Sequence, residues 1–306
     1  MDISQQVYEK LENCFIQADV YGAINIMKEI PEMSDLVREY LNIFEKEQYI
    51  RYEVPEEMNR ILLCYQKYYR DVFYLHLDVQ KSEALLFERL KNEMGLHDAD
   101  LIAVEDEMKR VFNLNGYHIL TGKTNGFRGP YVWKDTIPVT YEVELPEITS
   151  TYRINMLKGF VCRSWMDYLT FGEKGTGGWT SPDGTINCVE KAYDVQSERF
   201  TVSLLKHEAQ HSEDFKRWPG IESCDLEYRA KLVELIYTNG PGLLEKYIRE
   251  SNADNSFDGH AIAAARIKRE MSDLVNGEIS MIRARAKELF VSSTEEMNQK
   301  YGPDHS

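Results

Sequence analysis

The chain has 306 residues, 43% hydrophobic and 28% charged, with a formal net charge of −15 and a pI near 5.0. That length builds one large or two ordinary domains and buries a sizeable core without help from a metal. The acidic balance argues against binding nucleic acid or an anionic membrane, both of which need cationic surface, and five widely spaced cysteines with no CxxC pair indicate neither a disulfide framework nor a cysteine-rich zinc site.

From the N-terminus, residues 1–20 alternate polar and apolar types without a basic head or apolar core, and no stretch of the chain reaches membrane-spanning length. With reduced thiols, this leads us to expect a cytoplasmic protein. Up to about residue 112 the chain is rich in Leu, Glu, Lys, Met and Tyr and reads as amphipathic helices over 2–17, 19–29, 33–46, 55–75, 80–94 and 98–112. Breaks fall near Pro31, Pro55 and Gly95. The turn residues Asn113-Leu114-Asn115-Gly116 close this part, and a domain boundary is drawn there, giving an all-helical N-terminal domain (1–115) and a second domain (116–306). β-Branched residues, Gly and Pro then mark strands near 117–121, 137–145 and 151–157, which predict a small mixed sheet; 160–170 suits either strand or helix. Gly175-Thr176-Gly177-Gly178-Trp179 precedes the turn Ser181-Pro182-Asp183-Gly184 and a short strand, Thr185-Ile186-Asn187-Cys188-Val189. Glycines there let another backbone approach closely, whether an extended peptide or simply the chain's own hairpin.

The next segment carries chemistry. In His207-Glu208-Ala209-Gln210-His211 two imidazoles stand four residues apart. On a helix such positions are about 40° apart around the axis and one turn along it, so both rings can grip one ion. Glu208 sits about 100° round, beside the ion and able to take a proton from a water there. Leu204, His207, Glu208, His211 and Phe215 lie on one stripe, which turns the polar triplet inward. The bland alternative is a helix whose histidines are satisfied by local hydrogen bonds.

A catalytic zinc needs a third protein ligand. Trp218-Pro219-Gly220 breaks the helix, Ser223 or Asp225 is the expected N-cap of the next one, and residues 226–237 follow as a helix with Glu227 and Glu234 seven apart. Seven residues span about 10.5 Å, so only one of the two glutamates can reach the ion. Here residues 200–237 resemble the gluzincin zinc metallopeptidases, the group that includes thermolysin, with HEAQH followed by Glu227-Tyr228-Arg229-Ala230 on the next helix. The resemblance implies a zincin-like catalytic domain within a mostly helical α+β fold. It also implies Zn2+ held by His207, His211 and Glu227, Glu208 as general base, Glu234 in reserve, and a peptide or protein as substrate. Lys231 departs from the pattern, because an Asp often follows the ligand glutamate by four residues; Asp214 or Asp225 is the expected substitute for supporting a histidine.

Rival zinc architectures fit less well. A metzincin needs Gly and His where Asp214 and Arg217 stand, and Cys188, upstream as in peptide deformylases, reads better as a small apolar strand residue. For the developing oxyanion, His260 at the start of an Ala-rich helix is the preferred donor, with Tyr237 and Tyr228 as alternatives. His76, His118 and His305 receive a structural reading, the basic residues between Arg266 and Lys287 a solvated one, and residues 302–306 are expected to fray. The expected activity is therefore zinc-dependent peptide hydrolysis. A catalytically silent binding protein of the same fold, or a zinc hydrolase of another amide, are the alternatives, and no oligomeric state is readable.

Overall fold

The structure is a computed structural model describing residues 5–181, 183–251 and 259–302. Pro182, Asp258 and His305, and the expected fraying over 303–306, lie outside the described residues. Backbone contacts divide the chain into two units, 1–135 with 159–175, and 136–158 with 176–306. The chain thus passes from one to the other more than once, where the sequence suggested a single passage after residue 115.

The first unit begins with six helices: α1 (Gln5–Ile16), α2 (Val20–Lys28), α3 (Ser34–Phe44), α4 (Glu56–Tyr69), α5 (Val79–Met94) and α6 (Leu101–Leu114). The expected helix over 55–75 is present but relaxes into a π-helical turn at Arg70–Tyr74. The breaks have local causes. Pro31 opens a 3-10 turn, Pro55 stands at the N-cap of α4, and Gly95 ends α5 with φ +71°, a left-handed conformation that costs glycine little. Short strands complete this unit: β1 (His118–Leu120), β4 (Tyr131–Trp133) and β7 (Cys162–Arg163) form one sheet, and β2 (Lys123–Thr124) pairs with β3 (Phe127–Arg128). The undecided 160–170 stretch is both things, β7 followed by helix α7 (Ser164–Leu169). Aromatic side chains dominate the core, with Tyr40, Phe44, Tyr68, Tyr69, Phe73, Trp165 and Tyr168 all buried.

In the second unit β5 (Asp135–Glu144), β6 (Thr149–Lys158), β8 (Gly178–Thr180) and β9 (Ile186–Val189) make a four-stranded sheet in the order β5-β6-β9-β8. β6 runs parallel to β9 and β8 antiparallel to it, so the sheet is mixed as expected. A short helix α8 (Glu198–Phe200), begun by the Ser197 hydroxyl accepting from the Phe200 amide, passes into a π-helical stretch (Thr201–Lys206) and then α9 (His207–Arg217). Four further helices follow, α10 (Ser223–Tyr237), α11 (Gly242–Glu250), α12 (Gly259–Met271) and α13 (Ile279–Tyr301). The N-cap of α10 is Glu222, without a side-chain cap, rather than Ser223 or Asp225; Asp225 instead pairs with Lys300 and Tyr301.

α10 is the axis of this unit. It packs against α9, α12 and α13, and every residue from Asp225 through Leu235 is buried. A helix buried all round is normally apolar all round. This one carries Asp225, Glu227, Arg229, Lys231 and Glu234 into the interior, and each of those charges needs compensation. Among the described residues, no helix is long and apolar enough to cross a membrane.

Candidate metal centre

α9 and α10 bring three of the predicted side chains to one point. His207, His211 and Glu227 offer ligand atoms that all lie within 4.8 Å of one another, and all three residues are buried. Each imidazole turns its Nε2 toward the same carboxylate, His207 at 3.4 Å from Glu227 Oε2 and His211 at 3.4 Å from Glu227 Oε1. Those gaps exceed a good charge-assisted hydrogen bond of about 2.7–2.9 Å. Each ring faces its own oxygen of the carboxylate, so the three side chains surround one point that all of them can reach. Two imidazoles and one carboxylate are also the donor set of a catalytic zinc. The residues therefore fit a small divalent ion.

Glu234 has a different place. His207 donates from Nδ1 to Glu234 Oε1 at 2.6 Å, so the two glutamates of α10 address opposite nitrogens of one ring. This fixes the tautomer and leaves Nε2 as the donor atom, the arrangement that second partners of metal-binding histidines provide. Glu234 thus contacts the side of the ring opposite Glu227 and stands outside the group of three. Neither Asp214 nor Asp225 does that work. Asp214 accepts from Arg229 at 2.9 Å and Gln210 at 2.8 Å, closing a buried knot that also ties Arg229 to Ser293 and Thr294.

Protonation follows from the same contacts. Burial opposes charge on His207, but the Glu234 charge and the hydrogen bonds to Glu227 and Glu234 outweigh it and lift its pKa to about 10. Burial likewise opposes charge on Glu227, and hydrogen bonds from His207, His211 and His260 hold its carboxyl well below the usual range. Glu234 is lowered against burial chiefly by the charge of His207. All three shifts arise from the close approach of imidazoles to buried carboxylates, which favours opposite charges on the two kinds of group.

Glu208 lies beside the group, its carboxylate Oε2 accepting from the Thr180 hydroxyl at 2.7 Å. Thr180 ends β8, the edge strand. Both line or flank a cavity of about 740 Å³ whose wall includes Gly178, Tyr193, His207, Glu208, Lys231 and His260. The glycines have an internal use: a Cβ on Gly178 would sit 2.4 Å from Leu204 Cδ1 and 2.8 Å from the Asn187 carbonyl. The backbone that approaches so closely is the chain's own.

His260, near the start of α12, is largely exposed and sets Nδ1 2.7 Å from Glu227 Oε2, on the cavity rim as its helix-end position suggested. The tyrosine alternatives are elsewhere. Tyr228 is buried with its hydroxyl on Glu270 and Arg266 over its ring, and Tyr237 lies under the Lys206 ammonium. Tyr193 lines the cavity instead, and nothing in its local sequence singles it out. The stripe through Leu204 and Phe215 divides, since Leu204 joins the main core of this unit and Phe215 a smaller cluster around Trp218; the π-helical turn before His207 breaks the simple periodicity. Cys188 is a fully buried strand residue, His118 stacks on Trp133, and His76 stands 3.5 Å from Asp19. Of the basic residues expected in solvent, Arg266 pairs with Glu270 and Glu296, and Arg283 donates to the Thr238 carbonyl. Comparison of the chain with family models, with curated proteins and with solved structures finds no match.

Proposed function

We propose that the chain is a gluzincin-like, zinc-dependent peptidase whose catalytic part is the second unit. The observation that carries this reading is the meeting of His207, His211 and Glu227, whose ligand atoms lie within 4.8 Å of one another, with Glu208 beside them on the wall of an open cavity. A divalent ion bound by those three side chains supplies a Lewis acid that polarises a substrate carbonyl and acidifies water. Glu208 takes a proton from the attacking water and delivers it to the leaving nitrogen, and the Thr180 hydroxyl keeps its carboxylate aimed while it does so. Glu234 holds the His207 ring in register. His260 leaves Glu227 to donate a hydrogen bond to the oxygen on which negative charge develops.

Metal analysis of the purified protein tests this, paired with hydrolysis of a peptide library before and after chelation. We expect about one zinc per chain, and cleavage that chelation abolishes and zinc restores. Glu208→Gln should keep the zinc and lose about 10²–10⁴-fold in rate. Protein that takes up no zinc at neutral pH ends the proposal. Stoichiometric zinc with no cleavage of any peptide points to a binding protein, and cleavage confined to non-peptide amides to another hydrolase.

A further inference from the structure

The buried charges of α10 can be assigned partners one at a time. Asp225 has Lys300 and Tyr301, Glu227 has the three histidines, Arg229 has Asp214, and Glu234 has His207. Lys231 is different. It is 5% exposed, yet among the described residues none forms a hydrogen bond or ion pair with its ammonium; the Tyr247 ring lies 4.4 Å from the nitrogen, and the Glu234 carboxylate three residues on feels its charge without closing an ion pair. Lys231 also lines the 740 Å³ cavity together with His207 and Glu208. A cation–π contact and a carboxylate beyond hydrogen-bond reach offset only part of the cost of desolvating an ammonium, which leaves its N–H groups able to take an anion from the cavity.

We propose that Lys231 is a specificity-determining residue that captures a carboxylate of the substrate next to the bond being cleaved. This rests on the peptidase reading above. Lys231 lies one helical turn from Glu227, about 6 Å along the axis of α10, and one residue of extended chain spans about 3.3–3.6 Å. That rise corresponds to one or two residues of an extended chain bound along the cavity. Either an acidic side chain or a free C-terminal carboxylate provides the required group, and both meet the Lys231 nitrogen as a charge-assisted hydrogen bond in a water-poor wall.

Matched peptides separate these possibilities from one another and from a purely structural lysine. With blocked termini and Glu, or its isostere Gln, on either side of the scissile bond, the zinc-loaded protein should favour Glu by at least about tenfold in kcat/KM. A neutral peptide with a free C-terminus, compared with its amide, reports the other source of the carboxylate. Lys231→Met should bring the preference close to unity with the neutral peptide changed less than about threefold, and Lys231→Arg should retain it. A second readout needs no turnover. Calorimetry with succinate and with succinamide on zinc-loaded Glu208→Gln protein should show selective binding of succinate, lost in the Glu208→Gln, Lys231→Met double variant. A preference for neutral peptides, an unchanged ratio in Lys231→Met, or an equal fall for charged and neutral peptides overturns the inference. Selective succinate binding without any peptide cleavage leaves the carboxylate site standing and removes the peptidase reading.

Discussion

Helices α4 and α10 are both buried, one in each unit, and both carry polar side chains inward, but they satisfy them in opposite ways. α4 buries two neutral amides. Asn59 donates to the Tyr52 and Val54 carbonyls, and Gln66 exchanges hydrogen bonds with the backbone of Ile50, so each amide ties down a local loop. α10 buries ions, and their partners come from α9, α12 and α13. Neutral amides on backbone groups can be replaced at modest cost and do no chemistry. Ionised side chains converging from several helices are expensive to assemble for stability alone, and perturbed titration of this kind gathers at functional sites. The contrast is the one the proposed function requires, with scaffolding in α4 and chemistry in α10.

The largest test of that contrast lies within α10 itself. Glu227→Ala should abolish stoichiometric zinc binding, whereas Glu234→Ala, which removes only the partner of His207 Nδ1, should weaken zinc by about 10–100-fold. Equilibrium competition against a chromogenic chelator measures both. Zinc lost from Glu234→Ala and retained by Glu227→Ala would reverse their assignments.

A second, smaller effect compares the helices directly. Arg229→Met leaves Asp214 buried without its guanidinium and should cost about 3–5 kcal/mol. Asn59→Ala, in α4, leaves backbone groups unsatisfied and should cost about 1–3 kcal/mol. Denaturant unfolding of the full chain gives both values. Equal costs would erase the distinction drawn above.

Much of this was legible before any coordinates. Helices α1 to α6 and the long strands β5 and β6 follow from periodicity and punctuation, and the HEAQH pair follows from helical geometry, since residues 207 and 211 share a face whatever surrounds them. The ambiguity between Glu227 and Glu234 could not be resolved by spacing, because both reach His207 and only the ring's orientation separates them. Tyr193 and Lys231 line the cavity, and Thr180 reaches Glu208, through contacts distant in sequence, which local pattern does not carry. The same holds for Asp214, whose carboxylate was free on paper to support a histidine and is taken by Arg229. The two π-helical turns left no trace in composition.

The most gradual effect is that of pH on the ion-free protein, on the order of 1 kcal/mol for each pH unit. The folded His207 titrates near 10 against 6.5 for an ordinary histidine. Its stabilising contribution is therefore complete below 6.5 and is lost as pH rises through about 10. Glu227 and Glu234 are depressed from 4.5, so theirs is present above that pH and is lost as pH falls through their folded values. The shifts of buried groups in the first unit begin higher: Cys64 and Cys162 rise from 9.0, and Tyr65 from 10.0, so they contribute only where those groups begin to ionise in the unfolded chain. A melting temperature that falls between pH 6.5 and 9 is the expected signature of the His207 site. On the proposed function zinc would displace the His207 proton, so its affinity should rise with pH over the same interval and the gap between zinc-loaded and ion-free melting temperatures should widen. Calorimetric melting at several pH values, with chelator and with zinc, measures both slopes; an ion-free melting temperature that stays level from 6.5 to 9 would show that no proton is held between those carboxylates.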